Sequence, residues 1–309
     1  DFLIVEEIAI VEDADGVEHA PTDDHAGAAN PFAGVGVLGG FMIEGGPPAI
    51  FFQPAEFMII GGAALGALLI GTPLNVLKGL IARLPGLLSG AGPSKSLYLE
   101  LLTAMYETFV NAKKNGFIAL DADVSDPNAS PIFSKYVGLL KNHHALSFLC
   151  DSLRLLVDGS VTPGQLEEMM DAEIETHHEE GARHPSLLAR MGDSLPGLGI
   201  VAAVLGVVIT MQAIDGPPAE IGHKVAVALV GTFIGILLCY GFIGPLSSNL
   251  EMLGEDEGKF LECIKAGILA FANGAAPIVA VEFSRRVIFS YDRPTSTELD
   301  AASKTVAPR

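Results

Sequence analysis

Uncharged positions gather into long blocks along this chain. Ser194–Ile214 reads SLPGLGIVAAVLGVVITMQAI, and Val225–Leu250 runs 26 residues, each without a charged side chain. Both exceed the roughly 20 residues a helix needs to cross a bilayer. Only Asp215–Lys224 separates them, which predicts an antiparallel helical hairpin. Another apolar block, Phe57–Leu77, predicts a further span. Pro31–Phe52 predicts one more, interrupted by Glu44 and by Gly45-Gly46-Pro47-Pro48, which stand where the turn of a second hairpin belongs.

Between and after these blocks the pattern becomes amphipathic. Leu97–Asn115, Tyr136–Val157 and Gln165–His178 carry apolar residues at helical spacing. Phe260–Ser290 reads as one long helix, bent near Asn273-Gly274 and Pro277. Asp126-Pro127-Asn128 and Thr162-Pro163-Gly164 read as loop punctuation. The expected fold is an all-α polytopic membrane protein with four transmembrane helices in two hairpins and a helical cytoplasmic domain. Its expected segments are an acidic, disordered 1–30, a hairpin at 31–77, a cytoplasmic domain at 78–193, a hairpin at 194–250, and a cytoplasmic helix and tail at 251–309.

Charge sets the orientation. Ten of the 18 Lys and Arg residues lie between Thr72 and Asp193, seven follow Leu250, and the link after Ile214 carries only Lys224. Basic residues stay on the cytoplasmic side. The middle segment and C-terminal tail are therefore expected inside, the 215–224 link periplasmic, and both termini cytoplasmic in a bacterial inner membrane. Residues 1–24 hold nine acids and no base, which is not a signal peptide. The alternation in Phe2–Val11 fits a strand, but the acids that follow favour disorder.

Composition agrees with a lipid setting. Half the residues are hydrophobic, mean hydropathy is +0.44, Gly numbers 35 and Trp is absent. Small apolar residues let helices approach closely in lipid. A net charge of −19 excludes nucleic acid as a partner. Cys150, Cys239 and Cys263 show no metal or disulfide spacing and read as reduced thiols. Gly34-Val-Gly36-Val-Leu-Gly39 matches a dinucleotide fingerprint, but inside an apolar span it favours close helix packing. His177, His178, Glu179 and His184 lack metal-site spacing and read as a solvated helix end; His143-His144 read as surface or interface. Ser194 lacks the second glycine of a nucleophile elbow, where Pro196 stands, so hydrolase chemistry is unsupported, no cofactor is implied and the chain is not read as an enzyme.

Two prolines inside the apolar runs are informative. Pro196 lies near the start of one and Pro245 near the end of the other, so antiparallel pairing predicts one shared cytoplasmic depth. Helix prolines remove a backbone bond and loosen the helix locally. Pro196 also fits an ordinary first-turn proline after Asp193 or Ser194. Charge, by contrast, is missing. No Asp, Glu, Lys, Arg or His occurs in 57–77, 194–214 or 225–250, and Glu44 and Glu56 sit at the outer end of the first hairpin. Proton movement needs a titratable group at membrane depth, so either this chain moves no ions or a partner supplies the carboxylate. Thr232 and Tyr240 are the main polar side chains left to line a path.

At this point the residues match a family. Met191-Gly-Asp-Ser-Leu-Pro-Gly-Leu-Gly-Ile-Val-Ala-Ala-Val-Leu-Gly resembles the third span of the MotA family, and Val230-Gly-Thr-Phe-Ile-Gly-Ile-Leu-Leu-Cys-Tyr-Gly-Phe-Ile-Gly-Pro resembles the fourth. Gln53-Pro-Ala-Glu-Phe-Met-Ile-Ile-Gly-Gly resembles the start of the second, and Asp171-Ala-Glu-Ile-Glu-Thr-His, Ala280-Val-Glu-Phe-Ser-Arg-Arg and Arg293-Pro also fit. The resemblance implies a flagellar stator subunit, a homo-oligomer, the pentamer of the family, around MotB-like chains that supply a proton-accepting aspartate. It implies that Pro196 and Pro245 are the coupling prolines and that Thr232 is a pore-side threonine. Ala203 stands where sodium-driven relatives carry threonine, which implies protons. Lys113 and Asp121 fall on the charged pair that meets the rotor protein FliG, where the family more often carries Arg and Glu. One departure is that Asp23–Asn30 occupy the opening turns of the family's first span. That span is then either short and tilted, or preceded by residues that are not its native start. An ExbB/TolQ-like energiser of outer-membrane processes and a structural scaffold without ion flow are the alternatives.

Overall fold

The computed structural model describes residues 35–88, 92–212 and 214–306; the acidic segment 1–30 and the opening of the first expected span lie outside them. Among the described residues every regular element is helical. Helix α1 covers 35–43 and closes in a turn at Gly45, whose φ of 81° a residue with a Cβ adopts poorly. A short 3-10 turn, Pro48–Phe51, follows, then α2, Pro54–Gly71. The span expected over Phe57–Leu77 ends early, because Pro73 pushes Thr72 into extended backbone. A new helix, α3, starts at Leu74 and runs to Leu88.

The helices of the segment expected to be cytoplasmic are α4 (Lys95–Asn115), α5 (Asp121–Ser125), α6 (Val137–Lys141) and α7 (His143–Asp158). Ser94 caps α4 by accepting from the Leu97 N–H. The helix expected over Tyr136–Val157 is divided at Asn142, whose side chain caps α7 by accepting from the Ala145 N–H.

Helix α8, Pro163–Met211, is continuous over 49 residues. Thr162-Pro163-Gly164 is its start rather than a loop: Thr162 and Gln165 form a capping box, and Pro163 occupies the first turn. At 1.5 Å per residue the helix is about 74 Å long, over twice the roughly 30 Å hydrocarbon core. The return path is α9 (Pro218–Leu238), a π-helical turn (Cys239–Ile243) and α10 (Gly244–Ala272). Boundaries expected at 77/78, 193/194 and 250/251 fall inside α3, α8 and α10, so continuous helix joins the apolar layer to the rest. Among the described residues three helical stretches are long and apolar enough to cross a membrane: Pro48–Gly71, Pro163–Met211 and Pro218–Ala272.

The long helix expected over Phe260–Ser290 is two. Asn273-Gly274 breaks it, with Gly274 at φ 89°, and α11 (Pro277–Val287) folds back along α10. The last helix, α12, is Ser296–Val306. Glu282 binds Arg285 and Arg286, and the two cations hold its carboxyl well down, at about 2. Arg285 also donates to the Pro294 carbonyl, and Arg293 to that of Ile288. These residues of the resemblance thus tie α11 to the loop that follows it.

Among the described residues two larger cores and a small cluster of Leu80, Leu188 and Leu250 result. The largest lies away from the apolar layer, where Phe109 stacks on Phe271 at 4.4 Å and Tyr98 meets Phe260 at 5.0 Å. The second joins Ile60 and Ala64 of α2 to Leu195 and Ala202 of α8 and Val230 and Ile234 of α9. Around it Val204, Val208 and Ile209 stay exposed on a single chain, as spans facing lipid or neighbouring helices do. All three cysteines are buried free thiols.

Candidate functional site: a glycine-packed helix crossing and a distant charged surface

The site begins where α8 and α9 nearly touch. A Cβ on Gly199 would stand 2.8 Å from the Gly231 carbonyl oxygen, and one on Gly235 would stand 2.5 Å from that of Leu195. A Cβ on Gly206 would stand 2.7 Å from that of Ala228. Glycines spaced four apart on α9 therefore set the helix separation. The crossing places Ala203 beside Gly231, one residue from Thr232, whose Cα lies against Gly199. Ala203 and Thr232 are thus neighbours, both half-buried.

Pro196 is inside α8, not in a first turn. Ser194 caps nothing; its hydroxyl donates to the Met191 carbonyl at 2.7 Å. Without an N–H on Pro196, the Gly192 carbonyl has no intrahelical donor, and Gly192 packs where a Cβ would stand 3.0 Å from Ile243. Pro245 acts differently. The Gly244 N–H bonds five residues back to the Cys239 carbonyl, making a π turn just before the proline. The additional residue in that turn accommodates the missing donor of Pro245.

The two prolines do not share one depth. Gly206 pairs with Ala228, Gly192 with Ile243, and the Ser247 hydroxyl donates to the Pro185 carbonyl at 2.7 Å. This register sets Pro245 level with about Leu188, some two turns or about 12 Å from Pro196. The proline level with Pro245 is Pro185, which the pattern reading overlooked. Antiparallel pairing was right; its register was not readable in one dimension.

Tyr240 is 74% exposed on the π turn, about two turns from Thr232 towards the cytoplasm, so a single chain does not join them in one lining. Gly36, Gly39, Gly61, Gly62 and Gly66 face open space, so the close packing expected at 34–39 does not occur among the described residues of one chain.

Glu56 is the residue misjudged from sequence. It stands in the first turn of α2 but is only 5% exposed. Its Oε2 would be 2.6 Å from a Cβ on Gly231, level with Ala202 and Ala203. The carboxylate therefore lies inside the helix crossing. The cause is the preceding segment, which folds inward as Phe51 packs on Phe233 at 4.9 Å. The available signal was Glu56 itself, an acid opening an apolar run.

Lys113 and Asp121 flank a 3-10 turn, Phe117–Leu120, at one end of the largest core. Both are exposed, Ile118 between them is 80% exposed, and Leu120 is buried as the anchor. A surface with both charges and a bare aliphatic side chain suits a charged protein partner. Nearer the apolar layer, His144 meets His177 at 5.8 Å, Arg83 pairs with Glu257 at 3.5 Å, and the His184 ring packs against Gly79 of α3. Burial first, then the Arg83 charge, lowers the pKa of His184 below the ordinary 6.5.

Comparisons with known proteins agree with this geometry. Residues 32–116 match the family described as motility protein A N-terminal, and residues 141–257 match the MotA/TolQ/ExbB proton channel family. Motility protein A of Salmonella typhimurium is 40% identical over 270 residues, covering 87% of this chain and 92% of that protein. The Escherichia coli protein of that name gives the same figures. Chemotaxis protein LafT of Vibrio parahaemolyticus is 38% identical over 264 residues, with 85% and 93% covered. Among solved structures, C. jejuni MotAB superposes with a TM-score of 0.73 at 21% identity, covering 87% of this chain and 97% of that one. The Bacillus subtilis flagellar MotAB stator complex gives 0.69 at 22% identity, with 89% and 98% covered. The chain therefore belongs to the motility protein A branch of the MotA/TolQ/ExbB proton channel family, the flagellar stator subunits.

Proposed function

We propose that this chain couples proton flow across the bacterial inner membrane to torque on the flagellar rotor. A MotB-like partner, like that of the MotAB complexes whose fold this chain shares, brings the proton-accepting aspartate. Several copies of the chain, five by family resemblance, surround it in lipid. Each proton releases about 2.3 kcal/mol per 100 mV. The chain's task is to carry a local rearrangement at the crossing to a distant surface.

The single observation that carries this reading is the continuity of α8. One helix runs from the Ala203 level, past Pro196 and Pro185, to the cytoplasmic core. A bend at Pro196 then displaces the far end of a rigid lever. Ala203 and Thr232 line the path at the crossing, Pro245 forms a second hinge, and Lys113 and Asp121 engage the rotor protein FliG. Tyr240 lies on the exposed side of the π turn, available to the partner or a neighbouring copy. The Lys and Arg distribution supports an orientation with the termini inside. Nothing in this arrangement calls for enzymatic groups. The match at 32–116 to a motility-specific family favours torque over ExbB/TolQ-like transport. The test is Ala203→Thr in the complete stator: proton dependence should weaken in favour of sodium, and unchanged proton dependence counts against Ala203 as an ion-selecting position.

A further inference from the structure

The geometry points to Glu56 as a second protonatable site of the ion path, one supplied by this chain itself. The inference rests on the proton-driven reading above. Glu56 is 5% exposed, and its Oε2 is buried without a hydrogen-bond partner among the described residues. An unpaired carboxylate charge away from water is strongly disfavoured. A simpler role would be a first-turn acid stabilised by the helix dipole. That role needs the carboxylate to turn back to the N–H groups of α2, whereas Oε2 points across to Gly231 of α9.

Among the described residues no counter-charge meets it. The facing stretches 194–214 and 225–250 hold no Asp, Glu, Lys, Arg or His. From α9, His223 and Lys224 lie about two turns outward, with Lys224 engaged by Glu220 at 3.1 Å, while Cys239 and Tyr240 lie about two turns inward. Glu44 belongs to the turn before α2. Within α2 there is no other titratable group. The species left to satisfy Glu56 is a proton. Gly231 is what makes room: any side chain there would occupy the position of Oε2.

Glu56 therefore binds a proton when α2, α8 and α9 are packed together and releases it when their separation admits water. It stands at the Ala203 level, about 12 Å from the end of α8 at Met211. That position is on the outer half of the apolar layer, ahead of the hinge at Pro196 in the direction of inward flow. Glu56 is a relay that loads the partner's aspartate, and Thr232, one residue along α9 from Gly231, offers a hydroxyl to hand the proton on.

The test uses the complete complex of this chain with its MotB-like partner, reconstituted in liposomes with an internal pH dye. Glu56→Gln keeps shape and removes the titration. The expected result is normal assembly with proton flux reduced about tenfold or more, and partial flux in Glu56→Asp. Infrared difference spectra of the same complexes should show a carboxylic-acid carbonyl band that titrates in the parent and is absent from Glu56→Gln. Flux within twofold of the parent across external pH, or an infrared band unchanged by the substitution, overturns the proposal. Flux in the parent that follows a sodium gradient and ignores pH also overturns it. A parent complex without any flux contradicts the stator reading instead, and the infrared band then still decides whether Glu56 titrates.

Discussion

The Ser247 hydroxyl donates to the Pro185 carbonyl at 2.7 Å, both groups buried between α8 and α10. Around this bond the two long helices hold register below the apolar layer, with Leu188 and Leu250 packed on Leu80 of α3. A buried hydrogen bond of this kind is worth about 1 kcal/mol net. Ser247→Ala should therefore lower the thermal midpoint of the purified complex by a few degrees while leaving its assembly unchanged. Ser247→Val, which also forces volume into the contact, should lower it further. An unchanged midpoint in both would mean that the bond does not hold the register.

Gly235 should tolerate no side chain. Its Cβ would stand 2.5 Å from the Leu195 carbonyl, a backbone atom that cannot rotate away. Gly235→Ala should cost about 1–3 kcal/mol or more through overpacking and reduce the amount of folded protein in membranes. Gly66→Ala, which meets nothing within 4 Å, is the matched control within one chain. Equal loss in both variants, measured by membrane immunoblot and thermal unfolding, would show that the α8–α9 contact is not special.

Pro245→Ala should close the π turn. With an N–H restored at 245, the Gly241 carbonyl gains a donor, and the substitution removes a penalty of about 3 kcal/mol for proline within a helix. The helix becomes regular, stiffer and rotated at Tyr240. Torque should fall severely although the complex still purifies intact. Cells that swim at parental speed would show that the turn is only a structural accommodation.

Acidification should loosen α3 from α8. The pKa of His184 is lowered, mainly by burial, with Arg83 adding to the effect and Glu257 opposing it. A histidine held below 6.5 when folded contributes stability that is complete above pH 6.5 and is lost as pH falls below it. Cysteines at 80 and 188 should cross-link readily at pH 8 and less at pH 5.5, and His184→Gln should flatten that dependence. A parental profile flat between those pH values, or a His184→Gln profile as steep as the parent's, contradicts this role.

How much of this was legible in the chain depends on whether the signal is local. The charge-free runs of α8 and of α9 through the start of α10 are local, and they were read correctly as helical. Ser94 and Asn142 are also local, but Asn142 divides a helix that periodicity alone had joined. The continuity of α8 was hidden because the composition changes from acidic to apolar near Asp193 and Pro196 there also fits a helix start. Asn273-Gly274 was seen as a bend, yet the positive φ of Gly274 makes it a full break. Register is not local at all. The offset between Pro196 and Pro245, the partnership of Pro185 with Ser247, and the depth of Glu56 all depend on which residues face each other across helices. Lys113 and Asp121 were found through family resemblance, since an exposed Lys and Asp carry no pattern of their own.

The most direct test of the central claim is complementation. This chain is expressed with its MotB-like partner in cells that lack a stator, and swimming is scored beside recovery of the complex. The account predicts restored swimming, lost in Pro196→Ala while the complex still forms, because restoring the backbone donor at 196 stiffens the point where α8 must flex to link the crossing to the rotor surface. A stable parental complex that restores no motility, or a Pro196→Ala variant that swims at parental speed, would contradict it.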